Sequence, residues 1–312
     1  MGLKSRVLVT GASGFVARAL FFAKAVNCNL VAASRSDPGI KGIEWLLSPS
    51  LSSSADWRPL LDGIDSVVHL AGRVHVPSDI DSSAYMTENC EGTIRLARDA
   101  AHAGVRRFVF LSTSKVLGDE SGSIPLDESA IVSPGDAYGA SKLAAEQALA
   151  SIGGGMQFTV LRPPLVYGPG VKANFLALVS AVARGLPLPF ASIRNRRSLI
   201  GVGNLASAIF ACVDEPKASG RTFHVTDGAP HATPEIVQAI ASALGRPPRM
   251  FHFPPALLEA CGMVVGRGGT VRRLTRSMAL DDRAIREELG WSPPRTFEEE
   301  IQDMVRWFRR IT

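Results

Sequence analysis

The stretch Thr10-Gly11-Ala12-Ser13-Gly14-Phe15-Val16-Ala17 limits the fold of this chain more than any other. It follows an apolar run, Val7-Leu8-Val9, and opens a segment of helical spacing that reaches Val26. The glycines therefore sit where a first strand turns into a first helix, the context that separates a phosphate-binding turn from a chance glycine spacing. Gly11 permits the tight turn and Gly14 lets the backbone approach a ligand. Ala17 is the small residue that lets helix pack on strand. The N–H groups and dipole of the helix N-terminus favour a pyrophosphate, so the turn points to a dinucleotide.

The pattern that follows fits this start. Strands are expected at 6–10, 30–33, 44–47, 66–70, 107–112 and 158–162, with helices at 14–26, 57–61, 83–103 and 137–152. The strands are continuous apolar runs, as in a parallel sheet buried on both faces, and their alternation with helices predicts a doubly wound α/β sheet. Residues 48–54 read as a polar loop, and the glycines at 153–155 end a helix before the next strand. After Pro163 prolines crowd the chain, and helices at 174–184, 205–214, 234–244, 256–264, 282–289 and 297–309 surround short strands at 198–202 and 222–225. The expected architecture is a Rossmann-like dinucleotide-binding domain over 1–165, with later strands contributed from the C-terminal half, and a smaller mixed α/β lobe over 166–312 that binds substrate.

Composition narrows the function classes. The net charge of +5 is modest, and no basic module interleaved with aromatics is present to read nucleic acid. Cys28, Cys90, Cys212 and Cys261 are far apart, make no C-x-x-C pair and are not joined by a histidine cluster, so no metal is expected. No signal-peptide apolar region precedes the first strand, and the apolar stretch at 257–265 is too short to span a bilayer. The expected location is the cytoplasm.

Two further patterns carry chemistry. In Tyr138-Gly139-Ala140-Ser141-Lys142, tyrosine and lysine lie four apart on one helical face, where an ammonium near a phenol lowers its pKa and suits it to acid/base work. In Val109-Phe110-Leu111-Ser112-Thr113-Ser114, a buried strand runs into hydroxyls at the edge of the sheet where ligands bind. A hydroxyl there can bond a substrate oxygen alongside Tyr138.

With these patterns in this order, the chain resembles the extended short-chain dehydrogenase/reductases, in the NAD-dependent epimerase/dehydratase branch that acts on nucleotide sugars. The likeness includes D-x-x-x-H-L-A-G at 65–72, N-x-x-G-T at 89–93, L-R-P-P-L-V-Y-G-P at 161–169, R-S-L-I-G-V-G-N-L-A at 197–206 and L-G-W-S-P at 289–293. The resemblance implies Thr113, Tyr138 and Lys142 as the catalytic set, with Lys142 also binding the nicotinamide ribose. It implies Gly11, Ser13, Gly14, Phe15, Leu70, Ala71 and Gly72 around the cofactor. Asn174 and Arg197 match positions that meet the sugar-nucleotide diphosphate, with Arg273 or Arg276 as a second phosphate partner. It also implies a UDP-sugar substrate and a homodimer paired through 83–103 and 137–152.

The implied reaction is epimerisation through a transient 4-keto sugar, or alternatively NADPH-dependent reduction of a nucleotide 4-ketosugar. A non-catalytic NAD(P)-binding regulatory protein is the reading from another class, and a reductase of small carbonyl compounds is a third. Ser114-Lys115 replaces the Asp-Glu pair of the family's sugar 4,6-dehydratases, which argues against dehydration. At the end of the second strand, Ser34-Arg35-Ser36 stands where NAD-preferring relatives carry a carboxylate. Arg35 tilts the cofactor from NAD to NADP; the competing reading has Asp37 reach the ribose instead.

Overall fold

Apolar strands that are buried on both faces must find a helix for each face, and the chain supplies them in turn. The structure, a computed structural model, describes residues 4–23, 28–74, 82–153 and 155–312. The first half runs β1 (Ser5–Thr10), α1 (Phe15–Phe22), β2 (Cys28–Ser34), β3 (Glu44–Leu47), α2 (Arg58–Leu61), β4 (Ser66–His69), α3 (Ser83–Tyr85), a π-helical turn (Met86–Glu91), α4 (Gly92–His102), β5 (Arg107–Leu111), a 3-10 turn (Ser114–Leu117), α5 (Ala137–Leu149) and β6 (Gln157–Arg162). The second half runs β7 (Leu165–Tyr167), α6 (Ala173–Ala183), β8 (Leu199–Gly201), α7 (Val202–Asp214), β9 (Arg221–His224), α8 (Thr233–Ala243), α9 (Pro255–Val264), α10 (Gly268–Thr275), α11 (Arg283–Leu289) and α12 (Phe297–Ile311).

Seven strands form one parallel sheet in the order β3-β2-β1-β4-β5-β6-β9. The chain reverses direction across the sheet between β1 and β4, and a crevice opens at such a switch point beyond the C-terminal ends of the strands. Alternate residues of each strand serve opposite cores. Val7, Val9 and Leu161 pack with Leu20 of α1 and Leu205 and Ile209 of α7. Leu8, Phe108 and Val160 pack with Leu96 of α4 and Leu149 of α5. A third core joins Tyr167, Val179, Ile240, Ile301 and Met304 from β7, α6, α8 and α12.

The structure departs from the sequence expectation at several places. The helix expected over 83–103 is interrupted by the π turn at Met86–Glu91. The helix expected over 14–26 covers Phe15–Phe22; its last three positions, like Gly154, lie outside the described residues. β7, directly after Pro163-Pro164, pairs in parallel with β8 and was not expected, nor was α10. The 222–225 strand, as β9, joins the main sheet beside β6.

Candidate active site

The β1–α1 turn is tied to the loop after β4 by close backbone approach. Gly11 has φ +69°, and a Cβ on it would lie 2.7 Å from the Ala71 nitrogen, so only glycine fits. The Gly14 N–H donates to Gly11 O (2.8 Å), and Gly14 caps α1 without any side-chain hydrogen bond. Ser13 and Gly14 are exposed, and Phe15 lies against Gly170. Helix α1 therefore presents a bare N-terminus beside Leu70-Ala71-Gly72, a cradle that fits a dinucleotide diphosphate. On Gly72 a Cβ would lie 2.9 Å from Asn89 Oδ1 and 3.4 Å from Lys142 Nζ. The missing side chain keeps the space beside Lys142 open for a ribose.

A chain of hydrogen bonds fixes that loop from below. Ala71 N–H donates to Thr10 Oγ1 (3.3 Å), and Thr10 Oγ1 pairs with His69 Nδ1 (2.7 Å). His69 Nε2 pairs with Thr93 Oγ1 (2.9 Å), whose own hydrogen goes to Asn89 O (2.7 Å). This direction leaves His69 neutral with its proton on Nε2, and burial first, then the Lys142 charge, holds its pKa down to about 3. Asn89 accepts from Arg73 N–H (2.7 Å) and donates to Arg73 O (2.9 Å) and Ser141 Oγ (3.0 Å). His69, Asn89 and Thr93 lie inside motifs visible in the sequence, but their polarity within apolar surroundings was the only local sign of this role.

Tyr138 and Lys142 are one turn apart at the start of α5. Asp136 caps that helix through Oδ1, which accepts from Gly139 N–H (2.8 Å), and its other oxygen pairs with Lys115 Nζ. Gly139 has no room for a side chain, because a Cβ would sit 2.8 Å from Lys115 O. This contact seats α5 against the 3-10 turn that Thr113 caps, so that the Thr113 hydroxyl comes near enough to the Tyr138 phenol to favour its ionised form. Burial, followed by the Asp136 charge and then Tyr85, pushes Tyr138 up to about 12 against the Thr113 hydroxyl. The sequence expectation gave this lowering role to Lys142. In the chain alone Lys142 Nζ instead donates to Leu111 O (3.0 Å) and lies 4.5 Å from the Phe110 ring centre. Burial lowers its pKa to about 8, opposed by Glu146.

Glu146, one further turn along α5, was not singled out from sequence. Its carboxylate holds Arg162 at the end of β6 through Nη2 (2.6 Å) and Nε (3.2 Å), and accepts the Ser112 hydroxyl. Both side chains are over nine-tenths buried. An arginine closing the run Val160-Leu161 at the end of β6 was the available sign.

The two outer ends of the crevice differ. At the end of β2, Arg35 is exposed. Ser34 Oγ donates to Ser36 O (2.7 Å) and accepts from Trp45 Nε1 (3.1 Å), and Asp37 accepts from Gly39 N–H (2.8 Å). Among these neighbours the Ser34 hydroxyl and Asp37 are occupied locally. At the other end, Arg197 is half-buried, and burial followed by the charge of Arg273 lowers its pKa to about 10. Two positive charges that feel one another in this way favour an anion at this end of the crevice. Arg276, the alternative second partner, is engaged by both oxygens of Glu259 (2.8 Å each) and by Glu120. Asn174 is exposed in the first turn of α6, after Ala173 at φ +53°.

The chain as a whole has relatives among known proteins. Residues 7–226 match the pattern of the NAD dependent epimerase/dehydratase family. The UDP-glucose 4-epimerase of Vibrio cholerae is 35% identical over 311 residues, covering 97% of this chain and 95% of that protein. The UDP-glucose 4-epimerase of Mycolicibacterium smegmatis strain ATCC 700084 / mc(2)155 is 28% identical, covering 97% and 98%. The solved structure of MoeE5 in complex with UDP-glucuronic acid and NAD superposes with a TM-score of 0.80 at 25% identity, covering 99% of this chain and 100% of that one. With its glycine turn, its Thr113–Tyr138–Lys142 constellation and these matches, the chain belongs to the NAD-dependent epimerase/dehydratase family.

Proposed function

We propose that the protein is a UDP-sugar 4-epimerase that works through a transient 4-keto sugar. The placement of the Thr113 hydroxyl next to a half-buried Tyr138, one helical turn from Lys142, carries this reading. In it Tyr138 takes the proton from the C4 hydroxyl, and Thr113 holds the same oxygen. Lys142 supplies positive charge close to the phenol and binds the ribose. The bound dinucleotide accepts and returns the hydride. Gly11, Ser13, Gly14, Phe15, Leu70, Ala71 and Gly72 line it, while Arg197, Arg273 and Asn174 hold the substrate diphosphate from the 166–312 half. Lys115 follows Ser114 where a dehydratase needs carboxylic acids, and it is paired with Asp136, which speaks against water elimination.

A second reading, NADPH-dependent reduction of a 4-ketosugar, is favoured by Arg35. Its guanidinium is exposed at the end of β2, where it can meet a 2′-phosphate, and Asp37 is turned to the Gly39 N–H. Incubation with UDP-glucose or UDP-galactose, with and without NADPH, separates the two. Isomerisation without dinucleotide consumption supports the epimerase, and stoichiometric NADPH loss with a 4-keto sugar supports the reductase. Tyr138→Phe is expected to lower either rate by about 100-fold or more. A Tyr138→Phe rate equal to wild type refutes the assigned role. The homodimer implied by the resemblance would pair the α4–α5 faces, and sedimentation velocity tests it.

A further inference from the structure

The α9–α10 hairpin exposes an apolar surface that the rest of the fold leaves uncovered. On its inner side Leu258 and Leu274 pack against the third core, and Gly262 is so close to Val271 that a Cβ would fall 2.6 Å away. The hairpin is therefore firmly seated and its outer face is defined. That face carries Ala256, Leu257, Ala260, Cys261 and Val264, at helical spacing on α9, and continues into Val265 at the tip. Val264 is 88% exposed, and Leu257, Met263 and Val265 are each more than half exposed. Scattered surface apolar residues are ordinary, but a contiguous run on one element is not.

The hairpin's own charges are mostly positive, and its one carboxylate, Glu259, and the neighbouring Glu120 are both paired with Arg276. Between Glu259 and Asp281 the sequence has no acidic residue, while Arg267, Arg272, Arg273 and Arg276 fall within it. Glu259 itself is bound by Arg276 and Thr275. Arg267 follows the apolar tip two residues on and Arg272 stands on α10, and both are exposed. Helix α9 has ten residues, about 15 Å, half of what crossing a bilayer core requires, so it can only lie in an interface. An apolar helix face rimmed by arginines is the chemistry of an amphipathic element on anionic lipid.

We propose that the α9–α10 hairpin docks the protein on an anionic lipid surface, with Leu257, Cys261, Val264 and Val265 entering the interface and Arg267 and Arg272 meeting headgroup phosphates. A second copy of the chain fits this face less well, because a two-fold contact would set the arginine rims of both copies against each other. The proposal does not depend on the reaction assigned above.

The test is flotation with vesicles of phosphatidylcholine alone and with added phosphatidylglycerol. Cys261 carries an environment-sensitive fluorophore, since the other three cysteines are buried. Binding is expected only to the phosphatidylglycerol vesicles, with a blue shift of the label and loss at high salt. Val264→Asp/Val265→Asp and Arg267→Glu/Arg272→Glu should each weaken binding by about tenfold or more. Their melting temperatures should stay within about 2 °C of the parent and their turnover of soluble sugar nucleotide within about twofold, as for surface changes. Absence of flotation, or flotation unchanged in both double variants, overturns the proposal. A blue shift without vesicles, accompanied by a dimer that Val264→Asp/Val265→Asp abolishes, also overturns it and assigns the face to a second copy.

Discussion

Replacing Lys142 by methionine should make the protein more stable near neutral pH while inactivating it. The Lys142 ammonium is buried, and its pKa falls from 10.5 to about 8. The difference, 10.5 − 8 = 2.5 units, corresponds to about 3.4 kcal/mol by which the folded state disfavours the charge. The sign follows from proton binding. Below pH about 8 both folded and unfolded lysine are charged, and the folded state carries the whole penalty. Between about 8 and 10.5 the folded lysine loses its proton first, so the penalty fades as pH rises, and above 10.5 it is gone. Methionine keeps the length of the stem and removes the charge. It also removes the 3.0 Å bond to Leu111 O and the contact over Phe110, together a loss of about 2 kcal/mol. The net expectation at pH about 7 is a gain on the order of 1–2 kcal/mol, or roughly 2–3 °C in a chain of 312 residues. At pH about 10.5 a neutral amine still donates to Leu111 O, so the variant should there be less stable than wild type by about 1–2 kcal/mol. Urea unfolding of both proteins across that range measures the crossover. A variant that is less stable at neutral pH, or a difference that does not change sign with pH, would refute the placement of this charge in a desolvated site.

Three other expectations rest on different parts of the site. Gly11→Ala puts a Cβ 2.7 Å from the Ala71 nitrogen at φ +69°, and should cost about 2 kcal/mol or more and weaken dinucleotide binding, read by calorimetry and by dinucleotide fluorescence. Glu146→Gln leaves the Arg162 guanidinium buried without a counter-charge, with Nη1 already lacking a partner, and should destabilise by about 3–5 kcal/mol. Glu146→Gln/Arg162→Met should recover much of that loss, and a double variant as unstable as the single one would show that the charge was not the cause. His69 is held neutral with a folded pKa of about 3, below the ordinary 6.5, so its contribution is present above pH about 6.5 and lost as pH falls toward 3. Between pH about 6.5 and 5 this loss should reach about 2 kcal/mol, and His69→Gln should flatten that part of the stability profile in urea titrations.

What could be read from the sequence was what sequence neighbours determine. The β1–α1 turn, the hydroxyls closing β5 and the Tyr138–Lys142 spacing are local patterns, and the structure assembles all three at the crevice. A π turn could not be read, because over six residues its period cannot be told from that of an α-helix. Its consequence is nevertheless visible in Asn89, which reaches the Arg73 backbone from inside that turn. β7 was missed because Pro163-Pro164 marks a break, although the three residues after it lie in a small sheet that prolines flank without entering. Helix α10 was missed because it opens on two glycines and its stability comes from packing Val271 on Gly262, a contact nine residues distant. The Arg197–Arg273 pairing spans 76 positions and had no local signature beyond two basic clusters.

The Tyr138–Lys142 spacing also shows where pattern reasoning reaches its limit. Residues four apart share a helical face, but a lysine stem is long enough to choose among partners around its own position. Here Lys142 donates to Leu111 O at the end of β5. Burial keeps the Tyr138 phenol near 12, with the Thr113 hydroxyl pulling toward the phenolate. Acid/base work near neutral pH requires that value to fall by several units. The groups available to lower it are a positive charge brought in beside the phenol and the Lys142 ammonium once it turns from Leu111 O. The bare Gly72 backbone leaves the room for that turn, since even a Cβ there would come within 3.4 Å of Nζ. A side chain at 72 should therefore impair turnover as well as strain the loop against Asn89 Oδ1, 2.9 Å from its Cβ, and the glycine in the loop after β4 belongs to the proton chemistry as much as to the binding of a dinucleotide.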